Sequence, residues 1–338
     1  MLAAFSSIYS PSPLYSFSWA FKLLLIISIL GIWSAGITDL ETIKKTLVVI
    51  WGTFLILSLI PFVQVLSAQT DLFSKGRFGG AYAPTGISRN GASLFLLSVL
   101  VLIGKTESKV KYLASGVFGI IVLLLGVGKA AIVACFISGS MFFILIGKVR
   151  YFIGMAAALV CFIVLGVLLK VPMVQYLFSY QENDSALHLT GRVDLWKESL
   201  PVIRQNFLIG KGYVSSKFSS ITLDDVGWDA GHMHNVVLEV LYNNGIIGLI
   251  LILAVNAVMI SSVIRIIKNP VSSNFYQLAV GFLSLHMFLI INSISTISFG
   301  GRPHNQFILF LTLFMLIQNL SRLHSKQSLK SNVADFGS

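Results

Sequence analysis

The residues that decide the fold are VVLEVLYNNGIIGLILILAVNAVMIS (236–261), a run of 26 with one charged side chain. A helix needs about 20 mainly apolar residues to cross the hydrocarbon core of a bilayer. Eight further runs of this kind recur along the 338-residue chain: 20–38, 46–66, 89–104, 112–128, 130–147, 151–170, 276–298 and 304–320. Backbone amides find no water inside lipid, so each run is predicted to be a helix. The runs 89–104 and 112–128 are short, which favours tilted or partly re-entrant helices.

The composition excludes an ordinary soluble domain. Charged residues make up 11% of the chain and hydrophobic residues 56%, whereas soluble domains carry about 25% charged residues. The 24 Lys and Arg exceed the 13 Asp and Glu, but they lie between apolar runs, where topology and anionic head groups account for many of them. We therefore predict an all-α polytopic membrane protein that contacts membrane lipids and no nucleic acid. Cys135 and Cys161 lie inside apolar runs without metal-ligand spacing, so no metal is expected.

The positions of the cations predict the orientation. Short loops rich in Lys and Arg stay in the cytoplasm, and with nine spans the basic segments all fall on one side: 39–45, 105–111, 148–150, 262–275 and the tail. The N-terminus then lies outside, and it lacks the basic region of a cleaved signal peptide. The predicted division is N-terminal transmembrane helices at 1–170, one large extracytoplasmic loop at 171–235, C-terminal transmembrane helices at 236–320 and a cytoplasmic tail at 321–338.

The loop at 171–235 differs from the rest of the chain. It holds seven acidic residues, three histidines and two tryptophans, and a connection between two helices needs only a few residues. A folded cap is therefore expected. The stretch from Thr190 to Trp196 is predicted to open an amphipathic helix, limited or kinked by Pro201. Its apolar stripe contains Leu195, Trp196, Leu200, Val202 and Ile203. Gly210 and Gly212 then predict a turn.

His234 ends the loop, at the predicted outer mouth of the seventh span. Imidazole exchanges protons near neutral pH, and an ionisable group at membrane level is a candidate functional group. The alternative interpretation is an amphipathic interfacial anchor. His232 and His234 lack a third ligand for a metal. Asn235 is a candidate for binding the histidine or a glycan, or for capping the helix that follows.

Two groups of residues carry a resemblance to a known family. One is His234-Asn235 followed by Gly245 and Gly248. The other is Thr-Gly-Arg192 with Trp196, followed by Leu-Ile-Gly-Lys-Gly at 208–212, and a weaker match surrounds Arg77. Over roughly 76–250 the chain resembles the O-antigen ligase and O-antigen polymerase superfamily of bacterial envelope glycosyltransferases. Members usually carry more spans ahead of the Arg77 region, so a reduced or N-terminally truncated member is expected.

The resemblance implies a metal-independent, inverting membrane glycosyltransferase with a GT-C-like fold and no cofactor. The donor it implies is a glycan on undecaprenyl diphosphate. The acceptor it implies is a hydroxyl group of a second glycan or of lipid A-core, at the outer face of the bacterial inner membrane. In the family, two arginines hold the diphosphate and a histidine assists the acceptor. By position these roles fall on Arg192, Lys129 and His234. Lys129 departs from the family's arginine, because an ammonium keeps the charge without the planar fork of a guanidinium.

The residues alone are compatible with this chemistry. Protein cations stabilise the charge that develops as a diphosphate leaves, and the predicted outer side offers several: Arg77, Arg89, Lys129, Arg192 and Arg302. The alternative for each of them is an anchor to lipid head groups. Trp196 is a candidate for stacking on a sugar ring, with the membrane interface as its alternative.

The sequence is compatible with several functions. Polymerisation of O-antigen or exopolysaccharide repeat units is slightly favoured over ligation to lipid A-core, because the chain is short and departs at Lys129. A transporter or flippase is the alternative of another class, although ionisable side chains avoid the span centres and no internal repeat is evident. A non-catalytic scaffold predicts that Arg192→Ala and His234→Ala still support glycan assembly.

Overall fold

A computed structural model of the chain describes residues 1–68, 73–74, 77–78, 84–104, 109–170, 192–218, 222–223, 228–229 and 232–336. The helices of this described part are α1 (Leu2–Ser6), α2 (Pro13–Ala35), α3 (Leu40–Ala68), α4 (Pro84–Gly104), α5 (Lys109–Leu125), α6 (Lys129–Leu145), α7 (Val149–Leu168), α8 (Arg192–Gln205), α9 (Val236–Lys268), α10 (Ser273–Ser293) and α11 (Asn305–Phe336). A 3₁₀ turn covers Ser215–Phe218. Two short antiparallel hairpins pair β1 (Phe73–Ser74) with β2 (Arg77–Phe78) and β3 (Thr222–Leu223) with β4 (Trp228–Asp229).

Each of the nine predicted spans coincides with one of these helices. In the described residues, seven helices are long and apolar enough to cross a membrane: Pro13–Ala35, Leu40–Gln64, Pro84–Ile103, Val149–Leu168, Val236–Lys268, Ser273–Ser293 and Asn305–Leu329. The prediction of an all-α polytopic membrane protein is confirmed. α5 and α6 contain 17 residues each, so nine crossings stay a prediction. The first part of the expected cap, 171–191, lies outside the described residues.

The chain divides into two compact units. Unit 1 comprises Met1–Ala35, Tyr180–Ser261 and Leu289–Met315, and unit 2 comprises Gly36–Ser179, Ser262–Phe288 and Leu316–Ser338. Helices α9, α10 and α11 therefore each contribute residues to both units. The predicted division into membrane helices at 1–170, a loop at 171–235, membrane helices at 236–320 and a tail at 321–338 stays a prediction.

Unit 2 is built on a close contact between α4 and α5. A Cβ added at Gly119 would lie 2.8 Å from the Gly91 carbonyl oxygen and 2.8 Å from the Phe95 amide nitrogen. Glycine at both positions lets the two backbones touch, as small residues do between membrane helices. Trp51 of α3 adds a polar contact, because its indole N–H donates to the Ser115 hydroxyl at 2.9 Å.

The helix ends of unit 2 meet at two opposite places. At one end Phe78 is buried and packs against Ile87 and Val122. At the other end the Arg322 guanidinium donates to the Ile37 carbonyl at 2.6 Å, and the Tyr276 hydroxyl donates to the Leu145 carbonyl at 2.6 Å. This second end gathers the connections that the charge pattern predicts to be cytoplasmic.

In unit 1, α9 is broken near its start. Gly245 has φ 63° and ψ −164°, which is not helical, so Val236–Asn244 and the residues from Ile246 onwards are separate helical segments. The run 236–261 was predicted as one continuous span, and the break at Gly245 corrects that prediction. The short first segment carries the residues that follow His234 in the motif.

Candidate active site

Asn235 begins α9 by capping it. Its side-chain oxygen accepts hydrogen bonds from the Val237 and Leu238 amides at 2.9 and 3.2 Å, and its side-chain amide donates to the Ile294 carbonyl at 3.0 Å. An Asx cap of this kind satisfies amides that have no partner within the helix. The capping alternative for Asn235 therefore describes its contacts in the structure.

His234 enters this cap in a backbone conformation that side chains rarely adopt. Its φ is +51°, in the left-handed region where residues other than glycine are uncommon and Asn, Asp and His are enriched. The preceding residue, Met233, is fully buried. The chain therefore turns sharply between a buried anchor at Met233 and the cap at Asn235, and the imidazole is carried on that turn.

Trp196 connects this turn to α8. Its indole N–H donates to the Met233 carbonyl at 2.8 Å, and it packs on a hydrophobic cluster in which Leu195, Ile203 and Met233 are buried. Leu200 is 42% exposed, so its place in the predicted stripe was wrong. Ser199 takes the buried position one turn after Leu195.

Arg192 is the first residue of α8, one helical turn before Trp196. The hydrogen bond from Trp196 to Met233 thus places the first turn of α8, which begins with Arg192, beside the turn that carries His234 in unit 1. Burial lowers the pKa of the Arg192 guanidinium, which nevertheless stays cationic at neutral pH because the ordinary value is so high. Within the described residues its Nε has no hydrogen-bond partner. α8 runs past Pro201 to Gln205, further than the predicted limit.

The rings of His232 and His234 are in contact, with centroids 3.9 Å apart and planes at 65°. The two imidazoles therefore lie side by side on the turn that ends at the Asn235 cap. An imidazole in its neutral form can accept a proton.

Glu239 supports the turn from inside unit 1. It is 3% exposed, and its Oε2 accepts a hydrogen bond from the Met233 amide at 2.9 Å. Its Oε1 accepts from the Ser216 hydroxyl at 2.6 Å and from the Asn243 side-chain amide at 2.9 Å. Glu239 is therefore a buried carboxyl whose partners are a backbone amide, a hydroxyl group and a side-chain amide.

The glycines of the motif form a clamp around the break in α9. The amides of Lys211 and Gly212 donate to the Tyr242 and Asn243 carbonyls at 2.8 and 2.9 Å. Beyond Gly245, the Ile246 amide donates to the Phe207 carbonyl at 2.8 Å. Backbone groups that the break removes from the helical ladder are thus paired with the segment that follows α8. The non-helical backbone at Gly245 interrupts α9 and lets this segment pair with it.

Tyr213 closes the clamp on the side of residues 300–302. Its hydroxyl donates to the Gly301 carbonyl at 3.1 Å. Burial, together with the nearby Glu239 carboxylate, raises the pKa of Tyr213, and the charge of Arg302 opposes this. Arg302 itself donates to the Tyr15 hydroxyl at 3.2 Å and lies over the Trp19 ring. These contacts make Tyr213 and Arg302 parts of the support for the turn.

The remaining predicted cations lie in unit 2. The Ser88 hydroxyl accepts a hydrogen bond from the Gly128 amide at 2.8 Å and donates to the Leu123 carbonyl at 2.9 Å. Arg89 and Lys129 follow Ser88 and Gly128 directly, so they lie at the same end of unit 2. The backbone of Arg77 belongs to that end, because the neighbouring Phe78 is buried there. Lys129 is exposed at the start of α6.

The structure therefore groups the predicted site residues in two sets. Arg192, Trp196, His234 and Asn235 lie in unit 1, and Arg77, Arg89 and Lys129 lie in unit 2. Sequence reasoning did not identify Ser216 and Asn243. Both are buried polar residues, and the only sequence signal for Asn243 was an amide one helical turn after a lone acid in an apolar run.

These features describe a polytopic membrane protein in which Arg192 and His234 belong to the same compact unit. Residues 92–253 match the family model described as O-antigen ligase. The match confirms the resemblance to the O-antigen ligase and polymerase superfamily that the motifs carry. It indicates a function of the O-antigen ligase type or of a related polymerase type. The comparison with curated proteins gave no match.

Proposed function

We propose that the chain transfers a glycan from undecaprenyl diphosphate to an acceptor hydroxyl group at the outer face of the bacterial inner membrane, and that it polymerises repeat units. The observation that carries this proposal is the hydrogen bond from the Trp196 indole to the Met233 carbonyl. This bond fixes the start of α8, with Arg192, against the turn that bears His234. A cation for the leaving group and a base for the acceptor then share one rigid support.

In the proposed reaction the acceptor oxygen forms a bond to the anomeric carbon as the bond from that carbon to the diphosphate oxygen breaks. The configuration at that carbon inverts. The hydroxyl proton passes to the imidazole of His234, and the electron pair of the broken bond leaves with the diphosphate. Arg192 stabilises this developing negative charge, a contribution of about 2.7–4 kcal/mol for one well-placed donor in other enzymes.

Arg89, Lys129 and Arg77 are proposed as phosphate-binding cations of unit 2, considered by itself. They are gathered at one end of unit 2 by the Ser88 hydrogen bonds and the Phe78 packing. Asn235 is proposed to act as the cap that keeps the His234 turn in place. Trp196 is proposed to act through Met233, because its indole N–H is already used there.

The test is transfer by the purified full chain in lipid nanodiscs, with a defined undecaprenyl-diphosphate glycan as donor. We expect Arg192→Ala to lower the rate by about 100-fold or more and Arg192→Lys by less, since charge is kept. The matched control is Arg204→Ala, which removes an exposed cation from the last turn of the same helix and should leave the rate within about twofold. Equal rates for all three variants would remove Arg192 from the mechanism, and no transfer by the native chain would favour a scaffold.

The base is tested with His234→Asn rather than with alanine alone. Asparagine tolerates the left-handed conformation of this position, so a loss of activity reports the missing imidazole. We expect a loss of about 10²–10⁴-fold with the folded protein retained. Full activity of this variant would remove His234 from the mechanism.

The acceptor is tested in parallel reactions that differ only in the acceptor offered. One contains a second carrier-linked glycan, and the other contains lipid A-core. Polymerisation predicts products with two or more repeat units in the first reaction. Products in the second reaction alone would identify the chain as a ligase and overturn the polymerase assignment.

A further inference from the structure

The buried contacts of Glu239 require a carboxylate at this position. The Asn243 side-chain oxygen accepts hydrogen bonds from the Ser216 amide at 2.9 Å and the Ser215 hydroxyl at 3.0 Å. A backbone amide can only donate, so it fixes the orientation of the Asn243 side chain. The NH₂ group of Asn243 must then point at Glu239, to which it donates at 2.9 Å.

The other oxygen of Glu239 meets a second obligatory donor, the Met233 amide, at 2.9 Å. Both oxygens of residue 239 must therefore accept. An ionised carboxylate has two accepting oxygens, whereas a glutamine side chain has one accepting oxygen and one donating nitrogen. Glutamine at 239 would set its NH₂ group against the NH₂ group of Asn243 or against the Met233 N–H.

The peptide groups around Met233 are consequently held on two sides. Glu239 accepts from the Met233 N–H, and Trp196 donates to the Met233 carbonyl at 2.8 Å. The next residue is His234, whose φ of +51° is maintained only if its surroundings impose it. Loss of either contact would release the turn.

We propose that Glu239 is a positioning residue of the transfer reaction, which holds the His234 imidazole in place through the Met233 amide and the polar network of Ser216 and Asn243. This inference rests on the proposed function, since it assigns the network to the group that accepts the proton. Glu239 touches neither glycan in this role. It acts by fixing the backbone that presents His234.

The test exchanges the acid and the amide between two positions. Glu239→Gln alone places two NH₂ groups face to face, and Asn243→Asp alone places two carboxylates face to face. In the double variant E239Q/N243D, the aspartate accepts from Ser215, Ser216 and the Gln side chain, while the Gln oxygen accepts from the Met233 amide. The Ser216 hydroxyl, which donates to Glu239 in the native network and accepts from Asn243, reverses both roles: it accepts from the Gln NH₂ and donates to the aspartate. Every native hydrogen bond then has a counterpart, with the negative charge moved by one helical turn.

Two readouts are measured on folded, purified protein in nanodiscs. We expect each single variant to lower kcat by about 10- to 100-fold, as misplacement of a reacting group does, with KM for the donor within about threefold. The double variant should recover kcat to within about threefold of the native chain. Hydrogen exchange of a peptide covering 232–238 should be faster in both single variants and native-like in the double variant.

The outcomes separate this inference from the proposed function. Hydrogen exchange does not depend on activity, so unchanged exchange in Glu239→Gln overturns the positioning role whatever the reaction is. If the native chain shows no transfer and the exchange pattern is as expected, the proposed function is refuted. The role of Glu239 in holding the Met233 backbone is then kept. Native transfer that is lost in His234→Asn but kept in both single network variants would overturn the inference alone.

Discussion

Gly245 offers the most direct test of how the site is built. The change is Gly245→Ala. The residue has φ 63° and ψ −164°, a region that is essentially restricted to glycine and costs about 1–3 kcal/mol for other residues. An added Cβ would also overlap the Leu208 carbonyl group. The backbone of Leu208 and Gly245 must therefore separate before alanine fits.

Separation breaks the clamp at this point. The Ile246 and Ile247 amides donate to the Phe207 and Leu208 carbonyls at 2.8 and 3.4 Å, and each net hydrogen bond contributes about 0.5–1.5 kcal/mol. Together with the conformational cost, the expected loss in free energy of unfolding is roughly 2–6 kcal/mol. The same change should lower transfer, because the clamp connects α8 to the helix that follows His234.

The assay is reversible unfolding of the full chain in bicelles by steric trapping, with transfer measured in parallel. The matched control is Gly52→Ala in α3, where an added Cβ meets nothing within 4 Å. Alanine in a helix interior is neutral or stabilising by up to about 1 kcal/mol. A Gly245→Ala protein as stable as the Gly52→Ala protein would show that α9 is not broken as described.

Three further perturbations have defined outcomes. Trp196→Phe removes the donor to the Met233 carbonyl, so stability should fall by about 1 kcal/mol and kcat should fall with it, while Trp33→Phe, a partly exposed control, should change neither. Ser88→Ala leaves two buried backbone groups without their partner and should cost about 1–3 kcal/mol by thermal unfolding; no loss would contradict the Ser88 contacts. Asp39 accepts from the Thr42 amide, which lowers the pKa of the carboxyl below its ordinary value of 3.8. The cap stabilises the fold at pH values above the ordinary pKa of the carboxyl, and this stabilisation is lost as the pH falls through the lowered pKa. Asp39→Asn should therefore flatten the acidic part of a plot of Tm against pH.

Helix positions were accessible from sequence because they depend on local patterns. The apolar runs predicted the helices that overlap them, and the stripe of α8 placed Leu195 and Ile203 in the hydrophobic cluster correctly. Leu200 was assigned to the same stripe but is 42% exposed. Ser199 is buried instead and returns its hydroxyl to the Trp196 carbonyl at 2.9 Å, so a small polar residue occupies the tight position.

The geometry of the site depends on contacts between residues far apart in sequence, which no local pattern specifies. His234 was identified as a candidate, but its left-handed conformation was not. The neighbouring Met233 is held by contacts to Trp196 and Glu239 from other parts of the fold. The break at Gly245 was missed because hydropathy is continuous across it. Its only signal was the pairing of two glycine motifs, at 210–212 and at 245, which the structure brings into backbone contact.

The motif residues divide by what they touch. The glycines at 210, 212 and 245, with Trp196 and Asn235, satisfy backbone groups or allow close approach within unit 1. Arg192 and His234 are the motif residues to which the proposed reaction assigns chemical roles. None of the supporting contacts depends on the identity of the acceptor hydroxyl. A polymerase and a ligase can therefore share this motif, and the choice of acceptor must be made by residues outside it.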